Sequence, residues 1–205
     1  MAKIKLTKGE LKRQRDALRQ YRRYLPTLQL KKQQLQMEIV RQVGVWEGKM
    51  RQEVEKRKAQ VPWAGLLAEG GVNVLSLLGE PRVVTYGINI AGVDIEIFER
   101  VDFSIEEYDL YLIPLWVDAA VEIIKTIVAL RKEIEVLDKG IQVLRRELRI
   151  TTQRVNLFEK VKIPEAEETI RLIKIYIGDQ MANAVGRSKI AKRKLDELVF
   201  EGVAA

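Results

Sequence analysis

Apolar residues recur along the first quarter of the chain at a fixed interval. Leu11, Leu18, Leu25, Ile39 and Trp46 fall on a seven-residue spacing, and Tyr21, Leu28 and Leu35 occupy the companion positions. Such a narrow apolar stripe is the seam of a coiled coil. It predicts one helix from about Leu6 to Lys58, roughly 80 Å long at 1.5 Å per residue. Thr7 and Glu10 have capping-box spacing just ahead of the first apolar residue. Lys32 and Gln42 interrupt the stripe. After Leu35 it reads as drifting through Ile39, Val43, Trp46, Met50 and Val54, closer to the period of a straight helix. Pro26 lies inside the helix, where a proline removes one backbone hydrogen bond and usually causes a bend. The stripe stays in phase from Leu25 to Leu28, so the helix is expected to continue.

Pro62, Gly65, Gly70, Gly71, Gly79 and Pro81 then break the pattern, with at most a short helical turn between Ala64 and Leu78. From Arg82 to Phe98 the period changes to two. Val83, Val84, Tyr86, Ile88 and Ile90 lead to Ala91 and Gly92, and Val93, Ile95 and Ile97 alternate with Asp94 and Glu96. This predicts a β-hairpin turning near Ala91-Gly92, within the segment Asn89, Ile90, Ala91, Gly92, Val93. A lone two-stranded hairpin is marginal in water, so it must pack on the helices or be held by a partner. The expectation is that it contacts a partner and that the helices do not need it.

From about Pro114 the helical period returns. Ile123, Ile127, Leu130, Ile134, Leu137, Ile141, Leu144, Leu148, Thr151, Val155 and Phe158 follow alternating four- and three-residue steps. Near Pro164 the stripe resumes one residue out of phase, at Ile163, Ala166, Ile170, Ile173 and Ile177, which predicts a kink or a local change of supercoil. A charged helical piece from Ser188 to Phe200 ends the pattern. The expected fold is mainly α: a long antiparallel two-helix coiled coil of the N-terminal segment 1–61 and the C-terminal segment 114–205, with a small middle region 62–113 that holds the hairpin and caps the end away from the termini.

Composition narrows the chemistry. Charged residues make up 32% and aromatics only 6%, which suits long helices rather than a compact enzyme. The chain has no cysteine and no histidine, which excludes disulfides, Cys/His zinc sites and the commonest general base. No phosphate-binding loop is present: Gly70-Gly71 leads into Val-Asn-Val-Leu. No catalytic, cofactor-binding or metal-binding residues are therefore expected, and no cofactor. The stretch Leu110 to Leu130 is interrupted by Asp118, Glu122 and Lys125 on one helical face, so no membrane insertion is expected.

The net charge is +7, and the basic residues are clustered. Arg13, Arg15, Arg19 and their neighbours crowd the first helix, and Lys192 and Arg193 lie in a second cluster near the C-terminus. In a helical hairpin both clusters meet at one basic tip. It is read either as a solvated coiled-coil face or as a docking site for an acidic protein. Nucleic acid is not expected as a partner, because neither interleaved aromatics nor a base-reading motif accompanies the charge.

One stretch is recognisable as a motif. Arg154, Val155, Asn156 and Glu159, then Ile163-Pro164, then Glu168, Thr169 and Ile170, resemble the signature region of the D subunit of vacuolar/archaeal-type (V/A-type) rotary ATPases. The basic Leu-spaced N-terminal helix and the Asn89 to Val93 turn resemble the same family, although Asp94 to Ile97 departs from the proline that the family usually carries there. The resemblance implies a central rotor shaft without an active site. It also implies a cytoplasmic, membrane-peripheral position and three partners: the F subunit of the central stalk, the catalytic A/B hexamer and the socket subunit on the membrane rotor ring. A cytoplasmic coiled-coil scaffold or tether is the alternative.

Overall fold

The computed structural model describes residues 5–63, 65, 77–104, 114 and 116–203. The elements are α1 (Lys8–Ala59), a 3-10 turn (Val61–Trp63), strands β1 (Arg82–Ile90) and β2 (Val93–Asp102), α2 (Trp116–Leu157), a five-residue π-helical turn (Phe158–Lys162) and α3 (Ile163–Val203). Most of the Ala64 to Leu78 stretch, Gly70-Gly71 included, and Leu110 to Ile113 lie outside the described residues.

The start of α1 is capped as its sequence predicts: the Glu10 amide donates to Thr7 Oγ1 at 3.2 Å and the Leu11 amide to the Thr7 carbonyl at 3.0 Å. The helix continues through Pro26.

The chain forms two compact units. The first combines residues 1–29 with 153–205, and the second spans 30–152. In the second unit α1 and α2 run antiparallel. Leu35 shares a core with Leu144, Lys49 bridges Glu133 at 2.9 Å, and Glu53 accepts from Arg131 at 3.0 Å, so partners descend as α1 ascends. Along α2 and at the start of the π turn, no residue of the heptad run Ile123 to Phe158 is exposed.

The stripe on α1 differs from its expected drift. Gln42 and Glu53 are buried, at 7% and 4%, while Val54 is 39% exposed. Steps of 4, 3, 4, 3 and 4 lead from Leu35 through Ile39, Gln42, Trp46 and Lys49 to Glu53. The heptad therefore continues to Glu53, with Val43 and Met50 of the expected drift half-buried beside it. It carries polar members, and an apolarity count passes over them.

β1 and β2 pair antiparallel, with Ile90 opposite Val93 and Ile88 opposite Ile95. Ala91 and Gly92 both have positive φ, at 52° and 75°, as a two-residue hairpin turn of matching twist requires. The Asn89 side chain braces the turn: its Oδ1 accepts from the Gly92 amide at 3.0 Å and its Nδ2 donates to Asp94 at 2.6 Å. A register shift between Val84 and Thr85 leaves Glu99 as the extra residue on β2.

The hairpin does not cap the helix ends, as the sequence suggested. At its base, Leu78 and Phe103 pack on Val117, Ala120 and Val121 of α2. At its tip, Val93 and Ile95 share a buried cluster with Leu35 and Leu144. Strands of nine and ten residues cover roughly 30 Å at 3.3 Å per residue, comparable with the roughly 35 Å that α2 rises from Val121 to Leu144 at 1.5 Å per residue. The helices and the hairpin share the cluster of Leu35, Leu144, Val93 and Ile95, which weighs against the expectation that the helices can do without it.

In the first unit, Tyr21 packs against Phe158 with the rings tilted at 41° and their centroids 5.3 Å apart, and Arg22 bridges Glu167 at 2.6 Å. The predicted phase slip beside Pro164 takes the form of the π turn, whose Ile163 amide donates to the Phe158 carbonyl. Val155, Ala166, Ile170 and Ile173 are buried on either side of it.

Candidate functional site

The functional candidates are surfaces, a seam and a clasp between helices. The seam residues Leu11, Leu18, Leu25, Leu28, Ile39, Trp46, Ile134, Leu137, Leu148 and Phe158 are half-buried, and Leu35, Ile141, Leu144 and Val155 are buried. The Trp46 indole Nε1 is buried and meets no protein acceptor among the described residues.

The clasp was missed by sequence reasoning. The Glu53 carboxylate sits at a seam position, where an apolar residue is the norm, with its side chain 5% exposed. It accepts from Arg131 Nε on α2 and from Arg57 one turn along α1. The Arg131 hydrogen bond, with help from Arg57, holds the carboxyl below its ordinary pKa against the opposing effect of burial. The available signal was the heptad position itself: 53 continues the alternation of fours and threes from Leu35.

The recognised motif divides by face. Val155, Thr169 and Ile170 are buried, Ile163 is half-buried, and Arg154, Asn156, Glu159, Pro164 and Glu168 face outward. Thr169 Oγ1 donates to the Glu165 carbonyl at 2.7 Å. Arg171 grips Glu168 with two hydrogen bonds, which lower the carboxyl's pKa and raise that of the guanidinium. On the hairpin, Val93 is buried, Ala91 is half-buried, and Asn89 and Gly92 are exposed.

The two basic clusters belong to the same compact unit. Arg13, Arg15, Arg19, Lys192 and Arg193 are all exposed. Arg13 reaches Glu10 at 3.8 Å, a loose surface contact. Past Ile177 every side chain described on α3 is exposed, Met181, Val185 and Leu195 among them at 60%, 56% and 63%.

Among the described residues no group of three or more acidic side chains could hold a metal ion, and no helix is long and apolar enough to cross a membrane.

A helix pair of this kind could belong to many proteins, and comparison with known families decides between them. The family model described as the ATP synthase D subunit matches residues 10–193. The chain belongs to that family. It is 46% identical over 195 residues to the V-type ATP synthase D subunit of Borreliella burgdorferi, covering 95% of this chain and 96% of the relative. It is 31% identical to the protein of the same description from Chlamydia felis, over 100% of this chain and 99% of the relative. Its counterpart in Chlamydia trachomatis is 29% identical over 96% and 98%. The match takes in the helix pair, the hairpin and the π turn together, so the features above belong to this member of the ATP synthase D family along nearly its whole length.

Proposed function

We propose that this chain is the central-stalk rotor subunit of a V-type ATP synthase. It transmits torque between the catalytic A/B hexamer and the membrane rotor ring, and so couples ATP hydrolysis or synthesis to ion translocation. It has no active site and takes no cofactor. Its partners are the F subunit of the central stalk, the hexamer and the socket subunit on the ring, and it sits on the cytoplasmic side, peripheral to the membrane.

The observation that carries this reading is the helix pair itself, in a chain matched by the family over residues 10–193. Torque needs elements that resist twisting against each other. The α1–α2 pairing supports this with a continuous seam, with the Glu53 clasp and with the Lys49–Glu133 bridge. Rotation within a sleeve favours solvated surfaces, and the exposed basic side chains of α1 and α3 offer an acidic partner long-range attraction.

The test is co-expression with the remaining soluble subunits of its complex. The chain is expected to co-purify with a small F-type partner and with the A/B hexamer, and the hexamer's ATP turnover is expected to depend on it, while the chain alone turns over no ATP. Self-association with no affinity for those subunits would instead identify a coiled-coil scaffold.

A further inference from the structure

The C-terminal helical run holds one residue more than its seam requires. Its inward positions are Val155, Phe158, Ile163, Ala166, Ile170, Ile173 and Ile177. Each interval is three or four residues except the five from Phe158 to Ile163. With one residue removed between those two, the heptad would be unbroken. The π turn stores the surplus: the Ile163 amide reaches back five residues to the Phe158 carbonyl. The widened turn takes out about 100° of rotation, one residue's share in an α-helix. Pro164 suits the place. It has no N–H to give, and its crowding against the Lys160 carbonyl eases in a wider turn.

The same helix carries a second inward face. If the π turn tightened to α-helix, the stripe descending from Val155 and Phe158 would pass through Lys162, Glu165, Thr169, Leu172 and Tyr176. Thr169 is already buried, and Leu172 and Tyr176 are large apolar side chains left 40% and 41% exposed. Lys162 and Glu165 bridge each other at 3.3 Å, so they would turn inward as a neutral pair. The Arg22–Glu167 bridge opposes this rotation only weakly, since both side chains are well exposed. Ala166, Ile170 and Ile173 form the more apolar stripe, which accounts for its being the buried one.

We propose that the π turn is a two-position joint. Open, it presents Ala166, Ile170 and Ile173 to α1 within the first unit. Closed, it turns α3 by one residue and presents Thr169, Leu172 and Tyr176. The surplus residue makes the exchange possible, because each face is in phase with the upstream seam in one state of the turn.

The chain has no cysteine, so a single introduced thiol reports cleanly. Ile173→Cys is placed in the full chain, with and without deletion of Lys160, and its maleimide labelling rate is measured. Deletion locks the isoleucine stripe inward with no π turn. Labelling is expected to be roughly tenfold faster with Lys160 present, because closure of the joint exposes position 173 without global unfolding. Val155→Cys, upstream of the joint, is expected to label equally slowly in both backgrounds. Replacing Leu172 and Tyr176 with Gln removes the second face and is expected to slow Ile173→Cys labelling without lowering the melting temperature. Equal Ile173→Cys rates with and without Lys160 would overturn the proposal. If the deletion variant fails to fold, unchanged Ile173→Cys labelling in the double-Gln variant would overturn it instead.

Discussion

Arg131 on α2 hydrogen-bonds Glu53 on α1 at 3.0 Å, joining the two helices through a carboxylate buried in their seam. Arg57 supplies a second guanidinium from Glu53's own helix. Both arginine side chains are about half exposed, so water moderates the attraction, while the carboxylate itself is nearly dry. A buried ion pair is weak evidence for stability in itself, but removing one partner is costly. Glu53→Gln leaves the arginines unneutralised and is expected to destabilise the chain by about 1–3 kcal/mol, measured by chemical denaturation at neutral pH. No loss of stability would mean that the clasp is ornamental.

The same carboxyl sets an acid dependence. Its pKa is lowered in the folded chain, chiefly by Arg131. Its contribution is complete above the ordinary carboxylate pKa, about 4.3–4.5, and is lost as pH falls from there through the lowered folded value. Between pH 5 and pH 2 the melting temperature of the unmodified chain should therefore fall more steeply than that of Glu53→Gln. Parallel acid limbs would assign the effect to other groups.

Leu144 is fully buried among Leu35, Val93 and Ile95, whereas its neighbour Arg145 is exposed. Leu144→Ala should cost about 2–5 kcal/mol. Arg145→Ala should stay within about 0.5 kcal/mol. Because hairpin and helices share this cluster, a Gly/Ser linker in place of Tyr86 to Ile97 should lower the melting temperature as well. An unchanged melt in that variant would mean that the helices fold without the hairpin.

Gly140 lies inside α2 where the hairpin passes. A Cβ there would sit 3.9 Å from the Glu96 carbonyl oxygen, an ordinary contact. Gly140→Ala should therefore gain helix propensity without a clash, up to about 1 kcal/mol, read as a melting temperature about 2–4 °C higher. A lower melting temperature would show that β2 approaches α2 more closely than this.

Trp46 buries an indole N–H that meets no protein acceptor among the described residues. Trp46→Phe removes the unsatisfied donor and keeps most of the ring, so stability should hold or rise by about 1 kcal/mol. A clear loss in calorimetry would mean that ring volume outweighs the donor.

The helices, the hairpin and its turn were legible because each has a period or a turn chemistry of its own. The slip at Ile163 was legible too, as arithmetic, although the sequence did not say whether a kink or a π turn would absorb it. Two features were hidden for physical reasons. Glu53 and Gln42 are polar, so a stripe defined by apolarity steps around them to Val54, which is exposed. The hairpin's course along α2 depends on Val136 and Gly140, which lie off the heptad and are buried on a second face of the helix. Nothing in a one-dimensional pattern distinguishes a helix with one partner from a helix with two.

The long separations between paired residues also set an order of assembly on the ribosome. Arg131 follows its partner Glu53 by 78 positions, and Glu167 follows Arg22 by 145. Translation at about 5–20 residues per second leaves α1 waiting several seconds for the strand of chain that will cover it. Meanwhile β1, β2 and the start of α2 can close on one another, because their contacts are local. The dense Lys and Arg of the first helix bear on that interval: like charges along two copies of the bare stripe repel, which opposes its pairing with a copy of itself.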